Sequence, residues 1–150
     1  DIGDNDTQID LENKLSKIGA ECFTNFFNKL DKNEIFEKQD DSKSTYAKKI
    51  LKSETKLNWK NSASVIAREI NAFNPRPGAW FEYENKRIKI WRAKLDVQDG
   101  KPGEVLDSKL KIACGKNSIQ IIELQKEGKQ SCSVEEYLRG NKITKGTILQ

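Results

Sequence analysis

The chain opens with a helical pattern of apolar residues. Leu11, Leu15 and Ile18 recur at helical spacing after Thr7, a residue type that often caps helices. Gly19 then interrupts the pattern, so the sequence predicts two short helices, the second with a stripe of Phe23, Phe26, Phe27 and Leu30. The first 41 residues supply too few apolar partners to bury this aromatic stripe. We therefore expect it to pack on another part of a larger protein.

The next segment has no hydrophobic period. Residues 37–56 read EKQDDSKSTYAKKILKSETK, with few apolar positions, and predict a linker. From residue 42 onward this linker is basic, since Glu54 alone opposes Lys43, Lys48, Lys49, Lys52 and Lys56. We divide the chain accordingly into residues 1–41, a basic linker at 42–56 and a folded part at 57–150.

Residues 57–95 change from a helical to an alternating pattern. Ser62 is placed to cap a helix that the Asn74-Pro75 step should end, with an inward face of Val65, Ile66, Ile70 and Phe73. AWFEYENKRIKIWRAKL then alternates around Asn85 and predicts a β-hairpin. Because Ile88 and Ile90 share one face whereas Ala93 and Leu95 share the other, we expect a bulge near Trp91 or Arg92.

Further short strands follow the hairpin. GEVL, KLKIAC and SIQIIELQ each predict a strand, with turns at Asp107-Ser108 and at GKNS. Ser133 and Glu136 form a capping box for a short helix that Gly140 closes, and GTIL predicts a last extended segment. One helix before several short strands favours a mainly β fold with helices, built as a small, partly closed barrel rather than a parallel α/β sheet.

The formal net charge of +4 combines two segments of opposite sign. Residues 1–41 hold 5 Lys and Arg against 11 Asp and Glu, and residues 42–150 hold 22 against 12, which gives −6 and +10. A surface as basic as the second segment is typical of proteins that meet a phosphate backbone. The alternative is that Lys-rich surfaces mainly keep proteins soluble.

Composition excludes several catalytic chemistries. The chain has no His, which removes the commonest general base and the usual Ser-His and Cys-His pairs. Cys22, Cys114 and Cys132 show no CxxC spacing, and their odd number favours a reducing, cytosolic compartment over a disulfide framework. Without His they cannot complete a zinc site. No membrane-length apolar run and no Gly-rich phosphate loop occurs. The sequence predicts a binding protein with no catalytic residue and no metal.

The remaining candidate chemistry lies between residues 71 and 95. Pro75, Pro77 and Gly78 of NPRPGAW make a rigid corner, and the hairpin after it interleaves Trp91 with Lys86, Arg87, Lys89, Arg92 and Lys94. OB-like modules hold nucleic-acid backbones with interleaved cations and aromatics of this kind. Two simpler interpretations stay open. In the first, NPRPGAW is only a corner with Trp80 in the core. In the second, the charged hairpin is only a solvated sheet edge.

A family resemblance rests on six segments in order. TYAKKI, LNW, INAFNPRPGAWFEY, RIKIWRAKL, GEVL and LQKEGKQSCSVEEYLRG are spaced as in methionyl-tRNA formyltransferases, from the end of the catalytic domain to the C-terminus. The resemblance covers essentially the whole chain, and NPRPGAW is its most specific part. Members of the family transfer a formyl group from 10-formyltetrahydrofolate to the amino group of methionyl initiator tRNA during translation initiation.

The resemblance implies a domain plan. Residues 1–41 would be the helical end of a Rossmann-like catalytic domain, residues 42–56 the basic linker, and residues 57–150 an OB-like Greek-key barrel that contacts tRNA. The catalytic Asn, His and Asp and the folate site lie upstream in the family, so this chain is expected to be inactive alone and to hold no cofactor. Its expected partners are initiator methionyl-tRNA and its own upstream catalytic domain. The absence of Met agrees with its being a piece of a longer cytoplasmic protein.

The expected tRNA contacts are basic side chains of the linker and of the barrel corner, namely Lys48, Lys49, Lys52, Arg76, Lys86, Arg87, Lys89 and Arg92. Lys116 and Lys126 are expected to lie off this surface. Two positions depart from the family, which commonly has Arg in place of Asn71 and an aromatic residue in place of Arg76.

Two other functions stay open. Formyltransferases acting on nucleotide sugars and formyltetrahydrofolate dehydrogenases carry a related C-terminal domain that need not bind RNA. Alternatively, the barrel is a structural module that supports the catalytic domain or mediates self-association. The basic linker favours tRNA.

Overall fold

Three α-helices and five β-strands make up the regular structure of residues 1–30 and 37–150, which the computed structural model describes. In chain order they are α1 (Gln8–Phe27), α2 (Ala63–Ala72), β1 (Ala79–Tyr83), β2 (Lys86–Asp96), β3 (Lys111–Ala113), β4 (Ser118–Lys126), β5 (Ser131–Ser133) and α3 (Val134–Gly140). Short 3-10 turns occur at Asp41–Lys43 and Lys52–Thr55. None of the helices in these two ranges combines the length and apolar character that crossing a bilayer requires.

The first helix is continuous, so the prediction of two helices separated at Gly19 is wrong. A capping box starts α1, with the Thr7 side chain accepting from the Asp10 N–H and the Asp10 carboxylate accepting from the Thr7 N–H. A mid-helix glycine costs only about 0.5–1 kcal/mol relative to Ala, which a capped helix of this length tolerates. No residue of α1 is buried, and the predicted aromatic stripe is exposed, Phe23 by 64%.

The strands form one antiparallel sheet in the order β1-β2-β4-β3, with β5 paired to the other half of β4. The predicted extended segments GEVL and GTIL are single bridges rather than full strands, and they join the free edges of the sheet. Val105 bridges to Ile112 of β3, and its N–H donates to the carbonyl oxygen of Thr147. The Glu82 N–H of β1 donates to the carbonyl oxygen of Gln150 over 3.0 Å. The predicted small barrel in a mainly β fold with helices is confirmed.

The hairpin has the predicted turn and bulge. Glu84 and Asn85 connect β1 to β2, both with positive φ, as a tight two-residue turn requires. The pairing of β2 with β4 shifts register on both sides of Arg92. This bulge lets Ala93 return to the core side after the buried Ile88 and Ile90.

Helix α2 lies against β2 and covers the barrel core. Ile66 and Ile70 are fully buried, and the helix ends at Ala72 before the Asn74-Pro75 step, as predicted. Val65 was predicted to face inward, but its side chain is 37% exposed. One residue is a rotation of about 100° in an α-helix, so Ile66 and Ile70 define an inward face that excludes Val65. At the other end of the chain, the Ser133 hydroxyl accepts from the Glu136 N–H and starts α3, as expected.

The three cysteines are free and differ in accessibility, which gives a first prediction. Burial raises the pKa of the Cys114 thiol to about 11, and burial also raises the pKa of half-buried Cys132. Cys22 lies exposed on α1. Because the thiolate is the reactive form, a thiol reagent at pH 8 should label Cys22 first, Cys132 more slowly and Cys114 only after denaturation. Mass spectrometry of timed samples checks this order, and an intramolecular disulfide would contradict it.

Candidate nucleic-acid interface

The site forms on the outer face of the hairpin, around Trp80. In an antiparallel pair, register partners face the same side, so Trp80 shares its face with Lys89. Arg87 lies two residues before Lys89 on β2 and therefore faces this side too. Ala79 and Phe81 point the other way and are fully buried. Trp80 is itself only 8% exposed, although it lies on the outer face.

The end of the basic segment covers Trp80. The Trp80 Nε1–H donates to the carbonyl oxygen of Lys52 over 3.1 Å, and the Thr55 hydroxyl donates to the same oxygen. The Leu57 N–H donates to the carbonyl oxygen of Trp80 over 2.8 Å, and Lys56 bridges to Trp80 in parallel. The turn Lys52–Thr55 is thereby held against β1. The division of the chain at residues 41 and 56 stays a prediction.

Cations are positioned against the indole rings. The Arg87 guanidinium carbon lies 4.5 Å from the Trp80 ring centroid, and Lys89 Nζ lies 5.3 Å from that of Trp91. Lys56 Nζ is 5.4 Å from the Trp80 ring and 3.7 Å from a carboxylate oxygen of Glu82. An Arg stacked on an aromatic ring keeps its planar N–H donors directed outward with less entropy to lose when it binds an anion.

These side chains border a groove of about 300 Å³, which we call the Trp80 groove. Its charged lining residues are Lys52, Arg87, Lys89, Lys126 and Glu127, and Gln125 adds an amide. Four cations against one carboxylate make the groove electropositive. In the described part of the chain, no group of three or more His, Cys, Asp or Glu side chains is arranged to hold a metal ion.

The NPRPG corner forms one wall of the Trp80 groove. Gly78 has a φ of +92°, and its N–H donates to the carbonyl oxygen of Phe73. A Cβ at residue 78 would come within 2.8 Å of the Lys89 side chain and 2.9 Å of the Trp91 ring, so any other residue would have to displace them and adopt a strained φ. The Asn74 side-chain amide donates to the Trp91 carbonyl oxygen. NPRPGAW therefore forms the predicted corner with Trp80 nearly buried, and its part in binding nucleic acid stays a prediction.

The structure brings together some of the predicted contact residues and separates others. Lys52, Arg87 and Lys89 line the Trp80 groove. Lys48, Lys49, Arg76 and Arg92 are exposed but do not line it. Lys86 faces the opposite side of β2 from Arg87 and borders a second cavity. Whether these side chains contact RNA stays a prediction.

The expectation that Lys126 lies off the basic surface is wrong. In the β2–β4 pairing, Lys89 is opposite Gln125 and Ile88 is opposite Lys126, which brings the end of β4 beside the hairpin. Lys126 lines the Trp80 groove as a result, whereas Lys116 is exposed in the turn before β4. The sequence LQKEG is typical of a turn, but no local pattern places it beside β2. Its position there depends on the pairing of β2 with β4, which joins residues more than 30 positions apart.

Comparison with known families identifies the barrel. The family profile described as "Formyl transferase, C-terminal domain" matches residues 49–142, more than half of the chain. The chain belongs to the formyltransferase family and contains its C-terminal domain. The matched range includes Lys52, the whole Trp80 groove and α3.

Curated relatives extend the similarity beyond this domain. The chain is 41% identical over 150 residues to the methionyl-tRNA formyltransferase of Bradyrhizobium diazoefficiens, covering 97% of this chain and 48% of that protein. It is 40% identical over 152 residues to that of Rickettsia canadensis, covering 100% of this chain and 50% of the relative. The chain thus spans about half the length of the curated relatives it matches.

Solved structures with the same fold include HypX from Aquifex aeolicus. Its complex with tetrahydrofolic acid superposes with a TM-score of 0.62 at 18% identity, over 85% of this chain and 26% of HypX. A second HypX structure gives a TM-score of 0.62 at 19% identity, over 81% of this chain and 24% of that one. At this identity, the comparison with HypX establishes a shared fold.

Proposed function

We propose that this chain is the C-terminal part of a methionyl-tRNA formyltransferase and that it holds the tRNA backbone in the Trp80 groove. The observation that carries the proposal is the Arg87–Trp80 stack, with Lys52, Lys89 and Lys126 around the same groove. Cations on an aromatic floor suit a nucleic-acid backbone, because they combine phosphate neutralisation with apolar contact. The names of the relatives, which are methionyl-tRNA formyltransferases, support tRNA as the nucleic acid.

The rest of the protein would supply the chemistry. In the proposed enzyme, an upstream catalytic domain takes the formyl group from 10-formyltetrahydrofolate and delivers it to initiator methionyl-tRNA in the cytoplasm. The present chain has no His, and we expect it to transfer no formyl group by itself. The exposed apolar residues of α1, including Leu15, Phe23 and Phe27, then belong to the end of the catalytic domain and pack against the rest of it.

The basic side chains on this surface have a positioning role. Phosphate contacts fix the register and orientation of a nucleic acid without reading its sequence. The Trp80 groove would therefore orient the tRNA so that its aminoacylated end reaches the catalytic domain. Discrimination of initiator tRNA from other tRNAs would need contacts beyond those made by the groove.

Salt dependence of tRNA binding tests the proposal. If about four to six cations each neutralise one duplex phosphate, the logarithm of the affinity should fall with log salt at a slope of roughly −3.5 to −5.5. We expect a Kd on the order of 10⁻⁴ to 10⁻⁶ M at physiological salt, because such contacts carry little sequence information. Fluorescence anisotropy with labelled tRNA at several salt concentrations measures both. Absence of binding at low salt would instead support a structural module, or a formyltransferase acting on another substrate.

A further inference from the structure

We propose that the basic surface continues past Lys126 into a second anion subsite, where the barrel takes one further phosphodiester group of the RNA. This subsite is a cavity of about 200 Å³ lined by three lysines, Lys86, Lys126 and Lys142, with Tyr83, Tyr137 and Glu84. The inference rests on the proposed function, since it adds a subsite to the same RNA-binding surface.

Alternation along β2 separates the two subsites. Lys86 and Arg87 are consecutive, so their side chains leave opposite faces of the strand. Arg87 lines the Trp80 groove and Lys86 lines the second cavity. Lys126, opposite Ile88 at the end of β4, borders both. A backbone crossing the end of the hairpin would therefore meet Arg87, Lys126 and Lys86 in turn.

Hydrogen bonds fix the walls of the second cavity. Lys126 Nζ donates to Asn141 Oδ1 over 2.5 Å, and the Asn141 side-chain amide donates to the Tyr137 carbonyl oxygen over 3.0 Å. The Tyr83 hydroxyl donates to the carbonyl oxygen of Lys142 over 3.1 Å and holds the segment after α3 against the hairpin. The positive charges are thus brought together by contacts between elements distant in sequence.

The charge and size of the cavity select its ligand. Three lysines and one glutamate, Glu84, line the cavity, so its net charge favours an anion. Tyr137 also lines the cavity as a neutral phenol, and burial raises its pKa further above neutral pH, to about 12. At about 200 Å³ the cavity is smaller than the usual small-molecule pocket of roughly 300–1,000 Å³, which favours a single phosphate group of a larger ligand.

The test is a double substitution in the 150-residue chain. Both Lys86 and Lys142 are exposed, so Lys86→Gln with Lys142→Gln should leave folding unchanged, as thermal unfolding checks. If the pair holds one phosphodiester, the salt slope of tRNA binding should flatten by about 1, and the affinity at 50 mM salt should fall roughly tenfold. The matched control is Lys101→Gln with Lys116→Gln, two exposed lysines that line neither cavity.

The outcomes separate this inference from the proposed function. The second subsite is wrong if the Lys86 and Lys142 variant has the same salt slope as the control. If substitutions of Arg87 and Lys89 still weaken tRNA binding, the proposed function stands. No tRNA binding by the unsubstituted chain would overturn both. A titration with inorganic phosphate distinguishes a free phosphate from RNA as the ligand of this cavity. If NMR shows phosphate binding at Lys86 and Lys142 while the tRNA slope is unchanged by their substitution, the cavity takes a free phosphate and the RNA assignment is wrong.

Discussion

Replacing Arg87 and Lys89 together by Ala is expected to weaken tRNA binding by roughly 10²-fold at 50 mM salt and to flatten the salt slope by about 2. Both side chains line the Trp80 groove, and each lies within cation–π distance of an indole ring before any ligand arrives. Each phosphate neutralised releases close to one counterion, so two lost contacts remove about 1.8 from the slope. Anisotropy titrations at about 50, 100 and 200 mM salt give the affinity at each concentration, and hence the slope of log affinity against log salt.

The control for this prediction has the same change in net charge. Lys101→Ala with Lys116→Ala removes two exposed cations outside the groove, and should alter the slope much less. Equal losses from the two pairs would reduce the interface to general positive charge. The linker pair Lys48 and Lys49 provides a further comparison, because both are exposed and neither borders the groove. A loss as large as that of the Arg87 and Lys89 pair would extend the interface into the linker.

Replacing Trp80 by Ala is expected to lower the free energy of unfolding by about 3–5 kcal/mol, a large share of the stability of a small domain. The indole is 8% exposed, and its N–H makes one of the hydrogen bonds that hold the Lys52–Thr55 turn to β1. Removing it leaves a cavity, deprives the Lys52 carbonyl of a donor and releases the stacked Arg87. Urea denaturation followed by circular dichroism measures the change.

Trp80→Phe is the matched variant for this experiment. Phenylalanine keeps an aromatic ring under Arg87 but has no N–H for the Lys52 carbonyl oxygen. Most of the stability lost in the Ala variant should therefore return, less about 0.5–1.5 kcal/mol for the hydrogen bond and some packing. An Ala variant as stable as the unsubstituted chain would show that Trp80 is not part of the folded interior.

Local chemistry was enough to predict most elements of the barrel. The turn at Asn85, the bulge beside Arg92, the end of α2 before Pro75 and the cap of α3 at Ser133 each depend on residues within a few positions. The errors came where several local preferences competed. The capping box at Thr7 outweighs the low helix propensity of Gly19, and β5 has only three residues, too few to show an alternating pattern.

The candidate site was predictable only in part, for a related reason. Alternation along β2 places Arg87 and Lys89 on one face, and it would also have separated Lys86 from them. The place of Lys126 beside the hairpin depends on which strand β4 pairs with, a choice made by the whole core. The docking of Lys52 onto Trp80 depends likewise on a hydrogen bond across 28 residues, for which no local pattern exists.

The hydrogen bonds from residues 147–150 to Val105, Gly103 and Glu82 have a consequence for protein synthesis. A ribosome makes these residues after every strand of the sheet, so Glu82 at one edge and the segment Gly103 to Val105 at the other lack these backbone partners until residues 147–150 emerge. Open edges of this kind are templates for pairing with other chains. A product released before residue 147 would keep these backbone groups at both edges unpaired, and we expect it to aggregate or to be degraded by cellular quality control.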